Sequence, residues 1–393
     1  MYNNGESNIN ACMVQKRSIY YCWIHQKHLK NNILSIIFTQ HVIRLVVHSY
    51  IRQRSRVPWG ACMSQYFNLS NGVKQGGVLS AIFFTMYIDG LLLLLKEQGI
   101  GCHINGVFMG ALSYADDITL ICPSLRGLNE MIQMCSDFAD DHDITFNDRK
   151  SVCIKFGDTL NDYEKVMLKN SEIKWVNEIK HLGNSLDRTL TDQLDCRKKM
   201  SSFIGNVNKL NANFGHLQVD VLSRLFKTYC CSFYGSQIWR INSLHYNKVC
   251  TAWNGGVKRT LNLPYRTHTW MLGPVLHQYH MYYQLQHRTV RFLHGMAHSC
   301  NHIVKTCFDH AMQNANTPVG YNLAFIRNSY GFNISEHTLS DCIKFLRPSI
   351  LNSQEFFIIE ELKSLLQSRD GSYHIDGFSN SDVTALVALL CTM

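Results

Sequence analysis

The sequence predicts an α+β fold, an antiparallel sheet with helices packed on it followed by an all-helical region. Three observations carry this. Strand and helix patterns alternate up to about residue 187 without a clean βαβ repeat, which favours antiparallel pairing. A hairpin pattern, Gly110-Ala-Leu-Ser-Tyr-Ala-Asp-Asp-Ile-Thr-Leu-Ile-Cys122, lies in the middle of that stretch. From Thr191 onward the pattern turns helical and basic residues accumulate.

Residues 1–40 read as a ragged start, with Lys16, Arg17, Lys27 and Lys30 and no clear period. Ile33–Ile51 is predicted helical, because Ile36, Ile37, Val42, Ile43, Val46 and Val47 recur at three- and four-residue steps. Pro58 ends that segment. Cys62–Leu69 is a candidate strand before the Asn71-Gly72 turn signal. Val78–Lys96 is apolar almost all round and is predicted to be a buried helix. After the hairpin, Ser124 is placed to cap a helix to about Asp141, with Leu125, Leu128, Ile132, Cys135 and Ala139 on its inner face. Ile144–Phe146 and Val152–Phe156 are short strands by their β-branched and aromatic content. Thr191 to about Asn211, Val219–Cys231, Ser243–Leu261 and His277 to about Gln313 are predicted helices. The tail from about Asp341 is acidic. The predicted divisions are 1–40, 41–187, 188–330 and 331–393.

Composition narrows the function classes. In 393 residues, 46% are apolar, which allows a sizeable core. The formal charge of +9 suits a polyanionic partner. The 15 Cys form no regular framework and read as reduced thiols. The N-terminus lacks a signal-peptide pattern, and Leu91–Leu95 is too short to span a bilayer. The expectation is a cytoplasmic or nuclear protein without membrane contact.

Asp116 and Asp117 carry the chemistry. Two adjacent carboxylates at ~4 Å repel by about 1 kcal/mol even in water-like dielectric, and by more where solvent is scarce. A divalent cation removes that cost, and Mg²⁺ takes hard oxygen ligands from one or two carboxylates plus substrate phosphates. On these two residues alone, a solvated Asp-Asp turn is the commoner case.

The surrounding residues change that balance. Tyr114-Ala115-Asp116-Asp117 resembles the Tyr-x-Asp-Asp box of reverse transcriptases. Upstream, Asn71-Gly-Val-Lys-Gln-Gly-Gly-Val-Leu-Ser80 resembles the box that precedes it in non-LTR (LINE-type) retrotransposon polymerases. Downstream, Asp143–Cys153 resembles the next box, and His181-Leu-Gly-Asn184 the primer-grip box. The resemblance runs from about Val42 to Asp187 and continues more loosely toward Tyr330, through Tyr229–Trp239 and Trp253–Arg259. Group II intron maturases share related boxes, but the wording of the Gln-Gly-Gly segment is that of the LINE type.

The resemblance implies a palm followed by a helical thumb, and RNA-directed DNA synthesis on Mg²⁺, or Mn²⁺ in its place. It implies an RNA template, a DNA primer or target, and deoxynucleoside triphosphates as partners. By resemblance Asp116 is the metal ligand, Asp117 a supporting carboxylate, and Tyr114 lies under the primer end. Lys74, Gln75, Gly76 and Gly77 are placed near template and incoming nucleotide, Lys150 near the triphosphate, and Leu182 and Gly183 at the primer.

One departure stands out. The family has a third carboxylate on the strand beside the hairpin, in a motif several tens of residues before the Gln-Gly-Gly box. Before Asp89 this sequence has one acidic residue, Glu6, in a turn-like Asn-rich context. The expectation is a chain that corresponds to the later part of a longer reading frame, truncated on its N-terminal side and catalytically incomplete by itself. A non-catalytic nucleic-acid-binding remnant is the alternative. The His294–His310 region has spacings that suit zinc, such as His298 and His302 at i, i+4, but no paired Cys-x-x-Cys, so a His-rich helix surface is the expected reading.

Overall fold

The structure is a computed structural model. It describes residues 9–15, 41, 44, 45, 48, 54–68, 78–142, 144–157, 165–276 and 278–346. The chain divides into two compact units. The first is Met1–Ile179 with Asp187–Thr189, and the second is Lys180–Leu186 with Leu190–Met393.

The first unit is built on a six-stranded sheet. Its strands are β1 (Ile9–Gln15), β8 (Ala111–Tyr114), β9 (Asp117–Cys122), β10 (Val152–Phe156), β11 (Val166–Leu168) and β12 (Ser171–Trp175). Their order is β11-β12-β10-β1-β9-β8. All neighbours are antiparallel except β10 and β12. Two-residue strands form small ribbons outside it: β2 (Arg54–Ser55) with β5 (Phe67–Asn68), β3 (Pro58–Trp59) with β4 (Cys62–Met63), and β6 (His103–Ile104) with β7 (Val107–Phe108).

Two helices cover this sheet. α1 (Val78–Gln98) buries Phe84, Ile88, Leu91 and Leu95, which recur at helical spacing. The predicted all-round burial of α1 is corrected: Ile82 and Leu93 are about half exposed, so one stripe enters the core. α2 (Leu125–Asp141) starts where the Ser124 hydroxyl accepts from the Gly127 amide at 3.1 Å. Its Leu128, Met131, Ile132, Cys135, Phe138 and Ala139 are buried against Ile118 and Leu120 of β9 and Cys153 of β10. Leu125, expected on this face, is only half-buried.

The N-terminal expectation needs a correction as well. Residues 9–15, predicted to be ragged, form β1 in the middle of the sheet. The reason is tertiary: β1 supplies both neighbours, β9 and β10, with their backbone partners. Ile144–Phe146 forms no strand of its own. His41, Arg44, Leu45 and His48 are helical, within the predicted Ile33–Ile51 segment.

The second unit is helical beyond one hairpin end. It contains α3 (Gln193–Phe214), α4 (Val219–Leu225), α5 (Leu244–Thr260), α6 (Thr269–Val275), α7 (Met281–Ala297), α8 (His302–Gln313), α9 (Pro318–Tyr330) and α10 (Leu339–Phe345). A π-type turn, Phe226–Cys230, continues α4. One core gathers Phe203, Phe226, Trp239, Tyr246, Trp253 and Leu285, and a second gathers Val290, Leu293, Phe308, Ile326 and Phe332. The predicted His277–Gln313 helix is two helices. Asn301 breaks it, because its side chain accepts from the amides of Ile303 and Val304 and starts α8. Burial pushes the thiol of Cys135 up to about 12 and that of Cys230 up to about 11, so both stay protonated at neutral pH. Among the described residues no helix is long and apolar enough to cross a membrane.

Candidate active site

The hairpin β8–β9 is two strands joined by two residues, Ala115 and Asp116. Tyr114 stands directly opposite Asp117 in register. Asp117 therefore opens β9, while Asp116 sits in the turn itself, and both are half-buried. Ala115 carries a φ of +50°, which costs a non-glycine residue roughly 1–2 kcal/mol. Such strain persists only where the surroundings fix it. Here the surroundings are Ile118, Leu120 and Cys122, each at most 2% exposed, which lock β9 into the core.

The base of the hairpin is clamped by backbone. Gly101 (φ +129°) lies so close that an added Cβ would meet the Gly110 Cα at 2.9 Å. The Cys102 amide donates to the Ile121 carbonyl at 3.0 Å, and the Ile121 amide to the Gly110 carbonyl at 2.7 Å. Only glycine permits that approach. Asp117 is thus presented by a clamped strand end and Asp116 by the turn before it, while Tyr114 is 66% exposed beside them.

On its other edge β9 pairs with β1. Gln15 stands opposite Asp117, Val14 opposite Ile118 and Met13 opposite Thr119. The strand beside the hairpin is therefore Ile9-Asn-Ala-Cys-Met-Val-Gln15, which contains no acidic residue. Among the described residues no group of three or more His, Cys, Asp or Glu is placed to hold a metal ion. That includes the described members of the His294–His310 cluster, where the His294 and His298 rings stack at 4.1 Å.

The other sequence candidates fall in three places. Lys74, Gln75, Gly76 and Gly77 lie outside the described residues. Lys150 is exposed in the turn before β10, where its amide donates to the Asn147 carbonyl at 3.2 Å. In the same turn Asp148 accepts from the Ser171 hydroxyl at 2.6 Å, and that bond holds its carboxyl below the usual range.

Leu182 and Gly183 belong to the second unit. They form the two-residue loop between β13 (Glu178–His181) and β14 (Asn184–Asp187), with φ of +45° and +81°. Two supports hold the loop, and the sequence reading assigned neither. The Tyr234 ring packs where a Cβ on Gly183 would stand, 3.0 Å from Cε1. The buried Asp195 accepts from the Ser185 amide at 2.9 Å and from Lys199 Nζ at 2.6 Å, while Lys199 also donates to Asn184 Oδ1 at 2.8 Å. Gly235 (φ +80°) is needed there too, since its Cβ would lie 1.7 Å from Asn184 Oδ1. The Tyr229–Trp239 segment held the available signal, because it carries Tyr234, Gly235 and Trp239 together.

Comparison with known proteins gives a family match and several relatives. Residues 24–186 match the family described as reverse transcriptase (RNA-dependent DNA polymerase). The match begins after β1. The chain is 24% identical over 225 residues to the RNA-directed DNA polymerase from mobile element jockey of Drosophila funebris, covering 54% of this chain and 24% of that protein. It is 29% identical over 142 residues to the retrovirus-related Pol polyprotein from type-2 retrotransposable element R2DM of Drosophila melanogaster, covering 34% of this chain and 13% of that one. Among solved structures, apo telomerase from Candida tropicalis truncated from its C-terminal domain aligns with a TM-score of 0.33 and 16% identity, over 48% of this chain and 36% of that chain. The chain carries a reverse transcriptase domain. It is a domain of the non-LTR, LINE-type retrotransposon kind. The chain spans about a quarter or less of the length of these relatives.

Proposed function

We propose that this chain is the palm and thumb of an RNA-directed DNA polymerase, and that among the described residues its carboxylate set stops at two. The palm comprises β1 together with 41–187, and the thumb falls within 188–330. The observation that supports this reading most is the register around the hairpin: Tyr114 opposite Asp117 on one side, and Gln15 opposite Asp117 on the other.

The donor chemistry suits a hard divalent cation, Mg²⁺ or Mn²⁺. Asp116 and Asp117 offer adjacent carboxylates, and substrate phosphates would complete the oxygen shell. When bound, such a cation stabilises charge on the oxygens of an in-line phosphoryl displacement. The clamped hairpin holds Asp117 at its strand end and Asp116 in its turn, and the exposed Tyr114 ring beside them offers a flat surface to the primer terminus. Lys150 and the Lys74–Gly77 segment are assigned to triphosphate and template, and Leu182-Gly183 to the primer. The partners are an RNA template, a DNA primer and deoxynucleoside triphosphates, which places the protein in cytoplasm or nucleus.

A carboxylate from the strand opposite Asp117 would fix a second cation from the other side. β1 supplies none. Pre-organised charge is usually the largest catalytic term, so its absence is severe. The purified chain should bind a DNA-primed RNA template, yet extend the primer at background with Mg²⁺ or Mn²⁺. Binding should weaken linearly in log K against log salt. Extension abolished by Asp116→Ala would overturn the two-carboxylate reading. Absence of any template–primer binding at low salt would overturn the polymerase reading itself.

A further inference from the structure

Between Asp220 and Asp309 the sequence contains no Asp or Glu, and ten Lys or Arg. That single run carries a formal charge of +10, against +9 for the whole chain. Some of its cations are used internally. Arg288 donates to the carbonyls of Cys231, Ser232 and Phe233, and Lys305 pairs with Asp309. The cations of α5 and the loop after it meet neutral groups instead, with Arg259 donating to Asn208 Oδ1 at 2.7 Å. Among the described residues Lys248, Lys258, Arg259 and Arg266 have no carboxylate partner.

Their placement has a pattern. On α5, Lys248, Thr251, Gly255 and Arg259 are exposed and recur at three- and four-residue steps, so they share one face. The opposite face is the buried one, with Tyr246, Val249, Trp253 and Val257. At the end of α5 the chain turns through Pro264-Tyr-Arg-Thr267, and the Thr267 amide and hydroxyl both donate to the Pro264 carbonyl, at 3.1 and 2.8 Å. Thr267 is buried, which fixes the turn. Tyr265 is 92% exposed at its tip with Arg266 beside it. Lys258 Nζ donates to the Tyr265 carbonyl at 2.6 Å and lies 5.5 Å from the ring centroid. An aromatic ring held in solvent by a buried anchor, beside cations without internal anions, matches what a single polynucleotide strand requires: a stacking face for a base and charges for phosphates.

We propose that the exposed face of α5 and the Pro264–Thr267 turn form a docking surface for single-stranded nucleic acid. A base stacks on Tyr265, and Lys248, Arg259 and Arg266 neutralise the phosphates that follow. This rests on the polymerase reading for the class of partner, and it adds a specific surface in the second unit.

The test is fluorescence anisotropy of the full chain with a fluorescein-labelled 20-nucleotide oligo(rU), against a duplex of equal length, over a salt series. Tyr265→Ala should weaken oligo(rU) binding by roughly 5- to 100-fold, the range for one lost base stack, and leave duplex binding within twofold. The Lys248→Gln, Arg259→Gln and Arg266→Gln combination should lower the salt slope by about 2, for three phosphates on a single strand. An unchanged melting temperature in each variant shows that the fold is intact. Wild-type oligo(rU) affinity in both variants would overturn the docking surface while leaving the polymerase reading standing. Equal losses on oligo(rU) and on duplex in the Tyr265→Ala variant would also overturn it, because stacking would not be involved. A chain that binds neither nucleic acid would overturn both this surface and the polymerase reading.

Discussion

Asp195 Oδ2 accepts a hydrogen bond from Trp239 Nε1 at 2.7 Å, joining two buried side chains from distant parts of the sequence. The same carboxylate takes the Ser185 amide and the Lys199 ammonium, so one buried group holds β14, α3 and the Tyr229–Trp239 segment together. Asp195→Ala strips all three donors of their acceptor. Breaking a buried pair by removing one partner costs roughly 3–5 kcal/mol, because the other charge stays buried. Urea unfolding followed by tryptophan fluorescence should show a loss of about 3 kcal/mol. Adding Lys199→Met should recover part of that loss, and a double variant less stable than Asp195→Ala would refute this account.

Neighbouring glycines on α5 should respond with opposite signs. A Cβ on Gly256 would meet Phe203 Cζ at 2.7 Å, whereas one on Gly255 meets nothing within 4 Å. Gly255→Ala should stabilise by roughly 0.5–1 kcal/mol, the helix-propensity difference. Gly256→Ala should destabilise by about 1–3 kcal/mol, the range for overpacking a core. Thermal melts of the two variants, compared with wild type, decide the sign of each.

His280 gives the second unit a pH dependence. Its Nδ1 accepts from the Tyr282 amide at 3.2 Å, leaving Nε2–H to donate to Asn254 Oδ1 at 2.7 Å, with the Trp253 ring against it. Burial lowers its pKa below the ordinary 6.5. A base that is harder to protonate when folded adds stability above the unfolded pKa. That contribution is full above about pH 6.5 and is lost as pH falls toward the folded value. Denaturation midpoints measured from pH 8 to pH 5 should fall more steeply for wild type than for His280→Gln. Parallel curves would show that His280 does not titrate in this window.

Local signals were readable in the sequence where turn chemistry and apolar period agreed. The Ser124 cap, the α2 stripe, the α5 limits at Ser243 and Leu261, and the Tyr-Ala-Asp-Asp hairpin all had them. Non-local structure was not readable. Nothing in Ile9–Gln15 announces a central strand, because its pairing groups come from residues 117–122 and 152–156. The split between α7 and α8 was hidden because the apolar period runs on past Asn301. α9, with Thr317 as its cap and Pro318 at its first turn, had a start signal that the sequence reading did not take up. At the site, Asp116 and Asp117 were legible as a pair. The role of Asp195 was not, since a lone Asp in a helical segment gives no sign of its distant donors.

The position of β1 also bears on how the first unit can assemble. Every other strand of the sheet has a partner closer in sequence: β8 with β9, β11 with β12, and β10 with β12 about twenty residues on. β1 must return from the chain's start to close a gap between strands made far later. Until it does, β9 and β10 each present an open edge of unpaired amides and carbonyls, and such edges template association with other chains. Long-range closure of this kind is slow, because the loop entropy is lost before the contacts form. Removing residues 9–15 would therefore leave this unit with two sticky edges in its centre, and self-association is the expected fate of such a chain.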